Sequence, residues 1–169
     1  MKIGILCAIP EELQHFSRQE HPEATIGGRD FYRGTHAQHE LVLVECGVGK
    51  VNAALATTLL LHEFQCELLI FSGVAGGLDP TLKIGDLVIA EELLQHDFGT
   101  IIEREMIAHR AGSFPIGRPQ ENQPFRLRGD LRARIAAAHP DARFGRVLTG
   151  DVFLNCKETR AALFAKFQA

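Results

Sequence analysis

Four short stretches carry side chains or bare backbone that could do chemistry. The first is Ala8-Ile9-Pro10-Glu11-Glu12. Pro10 suits the first position of a helix, where its missing N–H costs nothing. Glu12 then falls in the first helical turn, where the macrodipole favours a carboxylate. At the end of a strand, such a carboxylate can act as a general base on water. First helical turns also carry acids for purely structural reasons, and without further context that is the better reading of Glu12.

The second and third stretches are glycine turns. Gly47-Val48-Gly49-Lys50 follows an apolar run and opens a helix. Glycines there allow close approach of a ligand, and helical N–H groups favour anions. Val44 stands where a phosphate-binding P-loop needs its first glycine, and Val51 where it needs Ser or Thr, so the turn is not a P-loop. It also lacks the complete dinucleotide fingerprint. Taken alone, it reads better as a tight strand-to-helix turn. Ser72-Gly73-Val74-Ala75-Gly76-Gly77 leaves bare backbone that could cradle a sugar or a phosphate. It could also be a sharp reversal before Asp79-Pro80.

Thr149-Gly150-Asp151-Val152-Phe153-Leu154 closes another apolar run. An aromatic ring at a strand exit can stack on a flat heterocycle, or it can be a core phenylalanine. His96 and Asp97 are adjacent, and neighbouring strand residues point to opposite faces, so a structural role is expected for both. The other histidines lack metal-ligand spacing, and no metal is expected. Arg126, Arg128, Arg132 and Arg134 read as a solvated face.

The elements that must position these groups alternate between strand and helix. Residues 2–9 and 41–45 are short and almost wholly apolar, as for strands covered on both faces. Residues 24–36, with Gly27 and Gly28, suggest a hairpin. A helix is expected over residues 51–64, apolar on most faces and therefore packed between layers. Residues 68–71, 86–95 and 143–149 read as further strands, and 128–138 and 157–167 as helices. Residues 97–127 show no period and read as an irregular functional or interface loop. The pattern predicts a single α/β domain with a mostly parallel central mixed sheet flanked by helices. In such sheets ligands sit beyond the carboxyl ends of the strands, where the glycine turns and Glu12 lie.

Composition excludes several alternatives. The chain has 169 residues, 46% hydrophobic and 23% charged, with a formal net charge of -3. There is no basic footprint for nucleic acid or an anionic membrane. No apolar run reaches membrane-spanning length, and the N-terminus lacks the form of a signal peptide. The four cysteines, Cys7, Cys46, Cys66 and Cys156, form no C-x-x-C pair. They read as free thiols, the first three buried, in a reducing compartment. The cytoplasm is therefore expected.

Taken in order, KIGI-x-x-A-x-x-EE, CGVGKVNAA, SGVAGGL, KIGDLV and TGDVFLN resemble the 5'-methylthioadenosine/S-adenosylhomocysteine nucleosidases of the nucleoside phosphorylase superfamily. The resemblance runs over essentially the whole chain. It implies a nucleoside phosphorylase-like fold, a homodimer, no cofactor, and hydrolysis of the N-glycosidic bond of an adenine nucleoside. Under it, Glu12 deprotonates the attacking water, and Ile9 and Val48 line the sugar and thio-substituent pocket. The loop of Val74, Ala75 and Gly76 faces the substrate. Phe153 stacks on adenine, the Leu154 backbone bonds its edge, and Pro115 reaches the neighbouring subunit's pocket. Valine at 74, where phosphorylase relatives commonly have a hydroxyl, favours water over phosphate as nucleophile. The family pattern continues with a Met-Glu motif for the ribose hydroxyls and an Asp that protonates adenine. Neither falls within residues 1–169, so a C-terminally incomplete chain with impaired turnover is expected. Alternatives are a purine or pyrimidine nucleoside phosphorylase, a futalosine or nucleotide N-ribosidase, and a non-catalytic nucleoside-binding relative.

Overall fold

The computed structural model describes residues 1–103, 105–116 and 124–169. They fall into two compact units, Met1–Ala75 and Gly76–Ala169.

The first unit contains β1 (Lys2–Cys7), α1 (Pro10–Leu13), β2 (Ala24–Ile26), β3 (Arg29–His36), β4 (His39–Glu45), α2 (Lys50–His62) and β5 (Leu68–Phe71). The strands form a mixed five-stranded sheet in the order β2-β3-β4-β1-β5. β1 runs parallel to both β4 and β5, whereas β2, β3 and β4 are antiparallel in sequence. The expected hairpin is β2–β3, turning at Gly27 and Gly28 with φ of 60° and 71°. Successive strand residues face opposite sides, which explains the unbroken apolar runs. Ile3, Ile5 and Cys7 of β1 join Leu41, Leu43 and Leu13 on one face. Leu6, Val42 and Val44 face the other way, with Phe31, Ala56, Leu60 and Phe64. Phe31 and Phe64 stack with ring centroids 4.5 Å apart.

Helix α2 departs from expectation. Ala56 and Leu60 are its buried residues, while Leu55 and Leu61 are 40% and 44% exposed. The helix lies on one face of the sheet, so only a single stripe is covered. Apolar composition overstated its burial.

The second unit contains β6 (Val88–Gln95), β7 (Gly99–Ile102), β8 (Glu105–Ala108), β9 (Phe125–Arg126), α3 (Gly129–Ala138), β10 (Arg143–Thr149) and α4 (Lys157–Phe167). β6 is the centre of a three-stranded sheet, parallel to β10 and antiparallel to β9. The stretch 97–127 is not irregular throughout. β7 and β8 pair as an antiparallel hairpin, and β9 joins the sheet. The hairpin turn includes Glu103 at a φ of 49°, a conformation usually given to glycine or asparagine, so no turn residue announced it. Arg104 and residues 117–123 of that stretch lie outside the described residues. Three of the arginines expected on a solvated face are partly or largely exposed and paired: Arg126 with Glu92, Arg128 with Asp130 and Arg132 with Glu91. Arg132 also lies over the Phe144 ring, 4.6 Å from its centroid. Among the described residues, no helix is long and apolar enough to cross a membrane.

Candidate active site

The three parallel strands of the first unit end on one rim. Past their last paired residues the ladder continues for one more step on each side. Cys46 N–H donates to Cys7 O at 2.8 Å, and Ser72 N–H to Leu6 O at 2.9 Å. The segments 8–12, 46–49 and 72–75 therefore leave the sheet side by side.

Glu12 is the side chain they surround. Pro10 opens the single-turn α1 and Glu12 is its third residue, which turns the carboxylate back toward the end of β1. Its Oε2 accepts Ala8 N–H at 2.8 Å and Ile9 N–H at 3.4 Å. Its Oε1 accepts Val74 N–H at 2.9 Å, from the turn after β5. Backbone donors from two strand ends thus fix one carboxylate, and hydrogen bonds to an ionised acceptor are stronger than neutral ones. Gly73 completes the fit. A Cβ at that position would lie 2.5 Å from Glu12 Oε1, so a side chain at residue 73 would displace the carboxylate. Burial, followed by the neighbouring negative charges of Glu12 and Cys46, pushes the Cys7 thiol up to about 11. Cys7, Cys46 and Cys66 are buried free thiols and Cys156 is exposed.

Ile9 is half-buried beside this carboxylate, Val48 is 73% exposed on the turn after β4, and Val74 is 85% exposed. The turn after β4 is shaped by glycines, with φ of 82° at Gly47 and 102° at Gly49. Ala75 is exposed and ends the first unit.

Gly76, Pro115, Phe153 and Leu154 belong to the second unit. Here too, an acid that follows one parallel strand holds the turn after its neighbour. Asp97 Oδ2 accepts Asp151 N–H at 2.8 Å, and His96 N–H donates to Thr149 O at 3.1 Å. The His96 ring fills the space that a side chain at Gly150 would need. His96 and Asp97 thus anchor the turn that carries Phe153, the structural role expected of them. Phe153 is not a core residue; 92% of it is exposed. Leu154 is half-buried. Pro115 O accepts the Thr100 hydroxyl.

The pattern of the phosphorylase superfamily matches residues 2–169. The chain belongs to that superfamily. A 5'-methylthioadenosine/S-adenosylhomocysteine nucleosidase of Mycobacterium bovis is 36% identical over 186 residues, covering 95% of this chain and 71% of its own length. Among solved structures, the S. pneumoniae enzyme of the same name, with the transition-state inhibitor MT-ImmA, is 31% identical with a TM-score of 0.79. That match covers 99% of this chain and 72% of the other. Futalosine hydrolase of Helicobacter pylori is also 31% identical, with a TM-score of 0.77 and coverage of 99% and 72%. Within the superfamily, the chain belongs with the 5'-methylthioadenosine/S-adenosylhomocysteine nucleosidases, and its α/β fold is theirs.

In this nucleosidase-family chain, sequence reasoning located the glycine turns and Glu12 but not the groups that hold them. Arg29 and Asn52, which bond to each other and, through Asn52, to Val48 O, are announced as a pair by no motif. The one available signal was an amide residue in the first turn of an otherwise apolar helix.

Proposed function

We propose that the chain catalyses hydrolysis of the N-glycosidic bond of 5'-methylthioadenosine and S-adenosylhomocysteine, releasing adenine. The observation that carries this reading is the Glu12 carboxylate, held by the backbone N–H groups of Ala8, Ile9 and Val74 at the rim of three parallel strands. A water oxygen bonds to C1' of the ribose as the C1'–N9 bond breaks. The water gives one proton to Glu12, which later releases it to solvent, and the bonding pair leaves with adenine, which takes up a proton from solvent. The transition state resembles an oxocarbenium ion, so a fixed negative charge near the ribose also stabilises it directly.

Ile9 and Val48 are assigned to the sugar and its 5'-thio substituent, and the Val74, Ala75 and Gly76 backbone to the substrate face of the loop. Phe153 is assigned to stacking on adenine, the Leu154 backbone to its edge, and Pro115 to the pocket of a second subunit in a homodimer. Two features favour water over phosphate as nucleophile. Val74 offers no hydroxyl, and its N–H is already given to Glu12. An incoming phosphate would meet a carboxylate there instead of free donors. The free buried thiols fit a reducing compartment, and we place the protein in the cytoplasm. The single superfamily match over residues 2–169 supports reading the chain as one domain.

The test is Glu12→Gln, assayed by adenine release from 5'-methylthioadenosine. Loss of a general base commonly costs about 10²–10⁴-fold, so kcat should fall by at least about 10²-fold while nucleoside affinity changes little. Turnover close to wild type would refute the assignment. Phosphate-dependent release of adenine would replace hydrolysis with phosphorolysis.

A further inference from the structure

The rim that holds Glu12 continues, past the turn at Gly47, to a side chain for which the reaction has no use. Arg29 opens β3, which pairs with β4 so that Phe31 stands opposite Val44. Two residues earlier, Arg29 reaches the chain where it leaves β4. Its guanidinium lies flat against Gly47: a Cβ there would be 3.1 Å from Nη2, 3.3 Å from Nη1 and 3.4 Å from Cζ. Nη2 donates to Asn52 Oδ1 at 2.7 Å. The other end of the same amide, Nδ2, donates to Val48 O at 2.7 Å. Asn52 stands in the first turn of α2, so an amide anchored on the helix holds the turn from one side and Arg29 holds the amide.

The turn needs that support. Glycines at 47 and 49 have φ of 82° and 102°, conformations whose freedom in the unfolded chain is costly to remove. The Val48 side chain is 73% exposed and supplies little packing to fix them.

We propose that Arg29 and Asn52 are positioning residues that act in series. Arg29 fixes Asn52, Asn52 fixes the Val48 carbonyl, and the turn so set determines affinity for the sugar and its 5'-thio substituent. The proposal rests on the nucleosidase reading above, in which Val48 lines that part of the substrate. Charge alone at residue 29 is not sufficient. A lysine ammonium is a point donor and cannot both lie flat on Gly47 and reach Asn52.

The test uses Asn52→Ala, Asn52→Asp, Arg29→Lys and the double variant Arg29→Lys/Asn52→Ala in the full chain. Two readouts are made: steady-state kinetics with 5'-methylthioadenosine, and amide hydrogen exchange at residues 48, 49 and 74. For Asn52→Ala, KM should rise roughly tenfold, the order expected from one lost hydrogen bond. kcat should stay within about threefold, because the three donors to Glu12 are untouched. Asn52→Asp keeps the acceptor for Arg29 but loses the donor to Val48, and should match Asn52→Ala. Arg29→Lys should move KM in the same direction, and the double variant should be no worse than Asn52→Ala. Exchange at 48 and 49 should quicken in every variant, with residue 74 unchanged. Unaltered exchange at 48 and 49, additive effects in the double variant, or a fall in kcat at constant KM would each overturn the proposal. Exchange does not depend on turnover, so it measures the Arg29–Asn52–Val48 chain independently of the nucleosidase reading, which fails instead if wild type does not bind 5'-methylthioadenosine.

Discussion

Replacing Gly73 by alanine isolates the contact on which the proposed chemistry depends. The new Cβ would lie 2.5 Å from Glu12 Oε1, 2.7 Å from Cδ and 2.8 Å from Oε2. Non-bonded carbon and oxygen need about 3.2 Å or more, so the carboxylate must retreat by about 0.7 Å. The φ of Gly73 is outside the left-handed region, so alanine brings a clash and no backbone strain. A retreat of that size stretches the 2.9 Å bond from Val74 N–H beyond hydrogen-bonding range. Losing a hydrogen bond to a charged acceptor costs about 1.5–3 kcal/mol where it is buried. Glu12 is half-buried, so the lower end applies and the protein should remain folded. For a reacting group, a misplacement approaching 1 Å costs about 10²-fold in rate. The expected result is therefore a kcat about 10²-fold below wild type, measured by adenine release from 5'-methylthioadenosine, with only a modest drop in the denaturation midpoint. In a Glu12→Gln background the same change should slow the reaction little further, because the group it displaces is already disabled. A folded Gly73→Ala protein with kcat within about threefold of wild type would show that the carboxylate does not need this position. A further large loss in the Gln background would show that residue 73 acts other than through Glu12.

Other outcomes follow from the same geometry. Phe153→Ala should raise the Kd for 5'-methylthioadenosine by roughly 2- to 13-fold, the equivalent of an aromatic contact worth about 0.5–1.5 kcal/mol. Its Tm should be nearly unchanged, since the ring is 92% exposed; equilibrium binding and calorimetry check both. The Cys7 thiol is raised from 9.0 to about 11 by burial and then by the charges of Glu12 and Cys46. The folded chain keeps a proton that the unfolded chain loses, so this part of the stability is full below pH 9 and declines between pH 9 and about 11. Denaturant titrations across that range should show a shallower alkaline loss in Cys7→Ala than in wild type; equal slopes would refute it. Arg146, which donates to Glu92 Oε2 from Nε and Nη2 at 2.9 and 2.6 Å, and more weakly the nearby Arg126, hold the Glu92 carboxyl below its ordinary value of 4.5. That contribution is present above the ordinary value and is lost as pH falls below it. Stability measured between about pH 5 and pH 3 should therefore fall less steeply in Glu92→Gln than in wild type.

Much of the chain's local structure is legible in its residues. The residues mark β5, β10 and α4 with the bounds they have, because periodicity and chain-breaking are local properties. The unbroken runs of β1 and β4 announce strands covered on both faces, and the two-glycine turn announces the β2–β3 hairpin. Pro10 and the two acids after it place Glu12 in a first helical turn, and the glycines at 47, 49 and 73 mark where backbone must come close to something. What that something is depends on partners remote in sequence. Val74 N–H meets a carboxylate 62 residues earlier, and Arg29 meets an amide 23 residues later. Neither pair shares a local period, and both arise from the strand order β3-β4-β1-β5, which sets which turns are neighbours. The same limit explains the two misreadings. The apolar surface of α2 says nothing about how much of it a sheet will cover. The β7–β8 hairpin turns at a glutamate in a glycine's conformation, so only its cross-strand bonds reveal it. Residue types set the available elements and chemical groups; the order in which the sheet assembled its strands chose which carboxylate faces which N–H.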